Sequence, residues 1–258
     1  MKSFVVFSIL NQNFGVNIES VKRILPAQPL TKMPDEGEHI EGMFQYEEEV
    51  LRVVSFRRII GLNSYTKQLQ EMFPKLKNQH KEWFDTLVQS VDDNIPFCKT
   101  TDPHTCDLGK WISSFHPDNT EVVKIMKELD YNHQLLHHSA TDVLEKREHS
   151  KEEAQTWIEE NIRSVYEHTI SYLDKIKGKS EEVAVDLQRC LILTGADDKS
   201  FGVNIDSVED IVHIEEDALH KANEKQSIGD FMNVEAILEH NGKLVTIVKD
   251  ISIDKIAS

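Results

Sequence analysis

Thirteen residues near one end of the chain return, little changed, near the other. Asn13-Phe14-Gly15-Val16-Asn17-Ile18-Glu19-Ser20-Val21-Lys22-Arg23-Ile24-Leu25 aligns without a gap on Ser200-Phe201-Gly202-Val203-Asn204-Ile205-Asp206-Ser207-Val208-Glu209-Asp210-Ile211-Val212. Eight of the thirteen pairs are identical, and Glu19 is answered by another acid, Asp206. Chance supplies a few matches, not this many in one ungapped run, so the two ends are copies of one building block.

Each copy has the pattern of β structure. Phe4-Val5-Val6-Phe7-Ser8-Ile9-Leu10 and Cys190-Leu191-Ile192-Leu193-Thr194 are apolar runs of strand length, and polar turn residues follow each of them. The alternating Phe-Gly-Val-Asn-Ile segment comes next in both. Val50–Phe56 and Lys243–Val248 supply further strands, the latter entered through Asn241-Gly242, a strong hairpin-turn pair. Two small barrels would use these strands and hide most of their edges.

The middle differs in kind. Between Gly61 and Gly178 there is one glycine, Gly109, while all three tryptophans and eight of the twelve histidines lie there. Apolar residues recur at helical steps through Leu69, Met72, Leu76, His80, Trp83, Leu87 and Val91. A second run passes through Val122, Met126, Leu129, His133, Leu136/His137, Ala140 and Val143, and a third through Ala154, Ile158, Ile162, Val165, Thr169, Leu173 and Ile176. Asp118 or Asn119 is placed to cap the second helix, and Ser150 with Glu153 forms a capping-box pattern for the third. A shorter helix over Leu108–Phe115 completes four.

Histidine interrupts two of those stripes. His80 stands at a core-facing step, and His133 and His137, four apart, leave one helix face a turn apart. A single histidine on an apolar stripe is usually a satisfied core residue. Two on one face, with a third on a neighbouring helix and an unpaired thiol at Cys106, are better explained by a metal. Three imidazoles and a thiolate form a borderline-soft set of four that favours Zn2+. His138 is turned away from His137 by about a hundred degrees. His104, His116, His149 and His168 carry no spacing argument, and Cys98 stands outside any zinc-knuckle gap with Cys106.

The frame His133-Gln134-Leu135-Leu136-His137 is that of a metalloprotease helix, but Gln134 stands where a carboxylate must act as base. Four protein ligands would also close the coordination sphere that a catalytic zinc keeps open. A zinc hydrolase is therefore the weakest reading, and the chain is expected not to be an enzyme. Its formal net charge of −16 argues against nucleic acid and anionic membrane surfaces as partners. With no long apolar span, no cleavable leader and only three cysteines, it reads as cytoplasmic, without membrane insertion.

Two family resemblances become specific on these residues. His80 with Trp83, then Cys106-Asp107-Leu108-Gly109-Lys110-Trp111, then His133 with His137, resemble the signature of the chemoreceptor zinc-binding domain, CZB, over about residues 64–177. That resemblance implies that His80, Cys106, His133 and His137 bind zinc in an antiparallel four-helix bundle. It also implies a zinc- or oxidant-sensing role and a homodimer formed through the bundle; Cys106 is the expected redox-sensitive ligand, since a bound thiolate can be oxidised to a sulfenic acid and its metal bond lost. The ends resemble the two halves of a CheW-like coupling domain, on Phe4–Ile24, Gly42–Leu62, and Leu191 to about Ile253. The fold class implied is α+β multidomain, with two SH3-like β-barrel halves at 1–62 and 179–258 and the bundle inserted at 63–178. Its expected function is a non-catalytic chemotaxis adaptor binding a chemoreceptor, a CheA-type histidine kinase, or both, with the zinc bundle adjusting that binding. The alternative is a passive scaffold in which zinc only holds the insertion folded. One departure stands out: Glu47-Glu48 occupy the family's Arg-Gly turn, and Arg52 stands where its proline is expected.

Overall fold

In the computed structural model, residues 1–32, 34, 37–195, 198–215, 219–221, 227–228 and 231–253 are described. The chain divides into two compact units, Met1–Tyr65 with Val185–Ser258, and Thr66–Ala184. The first unit opens with β1 (Lys2–Ile9), β2 (Gln12–Asn17), β3 (Val21–Pro26), β4 (Ile40–Tyr46), β5 (Glu49–Ser55) and α1 (Phe56–Ile59). The second contains α2 (Tyr65–Asp92), α3 (Asp107–Ser114), α4 (Thr120–His149), α5 (Lys151–Trp157) and α6 (Arg163–Gly178), with α7 (Ser180–Leu187) leading back out of it. The first unit then resumes with β6 (Arg189–Thr194), β7 (Ser200–Ile205), β8 (Ser207–Ile214), β9 (His220–Lys221), β10 (Ser227–Ile228), β11 (Met232–His240) and β12 (Lys243–Ile251).

The strands form two sheets, ordered β10-β11-β12-β2-β1-β8 with β9 on β11, and β3-β6-β7-β5-β4. The two copies of the repeat exchange their opening hairpins. β1 and β2, from the first copy, sit between β12 and β8 of the second. β6 and β7, from the second copy, sit between β3 and β5 of the first. β12 runs parallel to β2 with Ile247 opposite Gly15, and β5 runs parallel to β7 with Val53 opposite Gly202. These two glycines occupy matching places in the repeat for a common reason. A Cβ on Gly15 would lie 2.6 Å from Ile247 Cδ1, and one on Gly202 would lie 3.0 Å from Val53 Cγ2.

β1 is buried on both faces, which is why Phe4–Phe7 is a continuous apolar run rather than an alternating one. Phe4 and Val6 face one core with Leu238, Val245 and Ile247, while Val5, Phe7 and Ile9 face another shared with Val54, Phe56, Leu191 and Val203. In the shared core Phe7 and Phe14 both meet Phe56 edge-on, with ring centroids 4.9 and 4.8 Å apart. Each such ring, fully withdrawn from water, contributes about 1.5–3 kcal/mol.

One charged pair is built into this unit. Arg57 is 1% exposed, and its Nε and Nη2 donate to the two carboxylate oxygens of Asp206, each at 2.6 Å. Asp206 also accepts the Leu10 amide at 2.9 Å, and the guanidinium lies 4.1 Å from the Tyr65 ring centroid. The α1 segment is thereby tied to the β7–β8 turn.

In the helical unit the caps follow the sequence. Asn119 Oδ1 accepts the amides of Glu121 and Val122, and Ser150 Oγ accepts that of Glu153. Two features depart from the simple periodic reading. Phe73, not Met72, fills the core of α2, where its ring meets Trp111 edge-on at 5.1 Å. The third long helix is not uniform, because Ile158–Ile162 is wound as a π-helical turn between α5 and α6. That turn buries both Ile158 and Ile162 against Phe84, Leu87 and Val143.

Candidate metal centre

Three helices deliver the four residues. α2 brings His80, α4 brings His133 and His137, and Cys106 is the residue that caps α3. Their donor atoms all lie within 4.8 Å of one another. Cys106 Sγ is 3.2 Å from His133 Nε2 and 3.9 Å from His80 Nε2. The histidines are at most 2% exposed, and Cys106 is half-buried.

Main-chain carbonyls fix two of the rings. His80 Nδ1 lies 2.8 Å from the Leu76 carbonyl and His137 Nδ1 lies 3.1 Å from that of Thr100. A carbonyl only accepts, so each Nδ1 carries the proton and each Nε2 lone pair faces the cluster. Among the described residues, His137 Nε2 is buried there without a hydrogen-bond partner. The Thr100 carbonyl also accepts the Trp83 indole N–H at 2.7 Å, so the tryptophan three residues after His80 holds the acceptor that orients His137.

Burial is the main reason these imidazoles stay neutral. It pushes His133 down to about 2 and His137 to about 4, with the other histidines adding repulsion, and it lowers His80 as well. Burial pushes the Cys106 thiol up, opposed by the amides of Gly109 and Leu108 at the start of α3. Gly109 N–H points at Cys106 Sγ at 3.3 Å. The set therefore offers unprotonated nitrogens and a sulfur that a cation would convert to thiolate, which fits zinc.

Gly109 is required by contact. A Cβ there would lie 1.8 Å from the Pro103 carbonyl oxygen, part of the loop that leads into Cys106. Gly109→Ala is expected to displace that loop and weaken zinc affinity at least about tenfold, as losses of supporting groups around metal ligands do. Competition against a chromogenic chelator measures this, and unchanged affinity would refute the contact argument.

His104, His116, His138, His149 and His168 are all exposed, as is Cys98. Gln134 donates to Asp130 on its own helix at 2.9 Å. The Thr100 carbonyl was not foreseeable, because a main-chain acceptor leaves no side-chain signal.

The comparison with protein families bears on this cluster directly. The chemoreceptor zinc-binding domain matches residues 80–144, a span that begins at His80 and takes in Cys106, His133 and His137. The CheW-like domain matches residues 3–81. The chain thus contains a segment similar to a CheW-like domain, followed by one similar to a chemoreceptor zinc-binding domain. The two β sheets and the helical insertion are the architecture expected of that combination. The CheW-like match covers the first half of the β unit, and the exchanged hairpins place the second half in the same pair of sheets. Among solved structures, the scaffolding protein TtCheW from Thermoanaerobacter tengcongensis is similar over 96% of this chain and 84% of that one, at 13% identity and a TM-score of 0.44. No curated protein matches the chain. Among the described residues, no helix is long and apolar enough to cross a membrane.

Proposed function

We propose that His80, Cys106, His133 and His137 hold one Zn2+, and that the chain is a non-catalytic chemotaxis adaptor whose zinc unit adjusts its binding to a chemoreceptor or a CheA-type histidine kinase. The observation that carries the metal assignment is the convergence of four donor atoms within 4.8 Å, one of them the partnerless buried His137 Nε2. The adaptor role rests on the CheW-like domain, and its location would be cytoplasmic. Four protein ligands leave no open position on the ion, and the Gln134 amide cannot serve as a base, which favours a closed site over a hydrolytic one. Both ends of the helical unit return to the same β unit, so a change in one has two covalent routes into the other.

Purified protein is expected to hold one zinc per chain, with a marked fall in both Cys106→Ala and His133→Ala. Affinity for the receptor or kinase is then compared between zinc-loaded and metal-free chains. A change of roughly 5- to 150-fold is the range of ordinary allosteric coupling and would support the regulated adaptor. Equal affinities from two folded forms would reduce the zinc to a structural staple and overturn the regulatory part.

A further inference from the structure

The three histidines of the metal centre stand on long helices and are at most 2% exposed, whereas Cys106 is half-buried. An ion held by all four therefore faces water on the sulfur side. A closed, four-coordinate ion does not shed every ligand at once; it leaves by exchanging them stepwise, and it enters by the reverse path. The residues beside Cys106 accordingly control how fast zinc comes and goes.

The chain enters Cys106 through a tight turn. The Thr105 amide donates to the Asp102 carbonyl at 3.3 Å, the Asp102 amide to Thr100 Oγ1 at 3.1 Å, and the His104 amide to Asp102 Oδ1 at 2.9 Å. Pro103 is buried and its carbonyl oxygen lies 3.4 Å from Cys106 Sγ, while His104 is exposed. His104 is thus held next to a residue that touches the centre and one step of chain away from a ligand. Two residues of chain span at most about 7 Å, so an ion still bound to Cys106 Sγ is within range of the His104 imidazole. The electrostatics agree. Burial is the main cause of the low His133 value and the other two ligand histidines come next, but charge on His104 also opposes protonation there. Burial likewise dominates at His137, where Asp102 pulls the other way and favours positive charge. Both exposed side chains are therefore felt inside the site.

We infer that His104 is a transient ligand, the group to which zinc moves, together with Cys106, on its way between water and His80, His133 and His137. The inference rests on the zinc assignment made above. In the exchange state the ion keeps its bond to the Cys106 thiolate, one zinc–nitrogen bond to a buried histidine breaks, and one to His104 forms. Water replaces the remaining buried nitrogens as the ion moves outward, and no electrons change hands. Nitrogen and sulfur donors suit zinc in that state as they do inside. The Asp102 carboxylate, which anchors the His104 amide, adds negative charge beside the path. A ligand used only in passage speeds entry and exit by the same factor and leaves the dissociation constant untouched, because affinity depends on the end states alone. A residue that supports the bound site does the opposite, since its loss weakens affinity.

The test uses the full-length chain and three measurements. Zinc release is followed with a chromogenic chelator at several concentrations and extrapolated to zero chelator. Zinc entry is followed by stopped-flow tryptophan fluorescence, for which Trp83, its ring 4.9 Å from that of His137, is the reporter. Affinity comes from chelator competition. In His104→Ala both rates should fall about tenfold, the loss of about 1.4 kcal/mol of stabilisation in the exchange state, with the dissociation constant unchanged. His104→Asp, which still offers zinc a ligand atom, should recover much of both rates. His149→Ala, at the far end of α4, should leave them as they are. Unaltered rates in His104→Ala would overturn the inference. So would weaker affinity with faster release, which would make His104 a supporting residue, or slowing in His138→Ala in place of His104→Ala, which would put the path along α4. A wild-type chain that binds no zinc would sink the metal assignment itself, and that result is read before any variant is compared.

Discussion

Metal-free protein should have a helical unit less stable by about 4 kcal/mol than protein in free zinc a thousandfold above its dissociation constant, with the β unit unmoved. The reason lies in what surrounds the four donors. Three buried imidazole rings crowd together, and among the described residues His137 Nε2 has no hydrogen-bond partner. Apart from the Cys106 thiol, 3.2 Å from His133 Nε2, it is a cation in the centre that would compensate the desolvation of these nitrogens. The chain supplies a selective probe, because Trp83, Trp111 and Trp157 all lie within the helical unit. Tryptophan fluorescence during urea unfolding therefore follows that unit alone. Its midpoint should fall after chelation and in His133→Ala, and zinc should restore the former but not the latter. Coincident curves with and without zinc would refute a folding role for the metal.

Arg57→Met should destabilise the β unit by about 3–5 kcal/mol, the usual consequence of stranding one partner of a buried ion pair. Among the described residues, Asp206 would keep only the Leu10 amide for a carboxylate whose side chain is 14% exposed. Adding Asp206→Leu to Arg57→Met should recover much of the loss, since an apolar pair carries no unpaired charge. Arg57→Lys should fall between, because a single ammonium cannot make both 2.6 Å bonds at once. Far-UV circular dichroism during denaturation, read alongside the tryptophan signal, isolates the β unit. A Met variant within about 1 kcal/mol of the parent would mean that the pair contributes little beyond packing.

Much of the helical unit is legible in sequence because its determinants are local. Capping by Asn119 and Ser150, the face shared by His133 and His137, and the positive-φ turn at Asn241-Gly242 each depend on residues within a few positions of one another. Other features depend on distant partners or on packing, and periodicity is blind to both. Phe73 and Met72 both satisfy helical spacing, and only the Trp111 ring decides between them. The π-helical turn keeps Ile158 and Ile162 in the apolar pattern while changing the backbone beneath them. The Arg57–Asp206 pair joins residues 149 apart, and neither is distinguished by its own neighbours. The repeat revealed that the ends are related, yet the exchange of hairpins between them is a matter of strand pairing across the whole chain.

That exchange has a consequence for biosynthesis. Neither sheet is encoded by a continuous stretch: β1 cannot pair with β8, nor β5 with β7, until the far end of the chain has been made. A nascent chain growing at about 5–20 residues per second therefore holds its first five strands unfinished for several seconds while the helices emerge. The helices, rich in short-range contacts, are fast to form, and once folded they bring the β strands on either side of them within reach. A long, costly loop closure becomes a short one. If the metal hastens that step, zinc supply during translation would set how long unpaired strand edges stay open to aggregation, and the yield of soluble protein would rise with it.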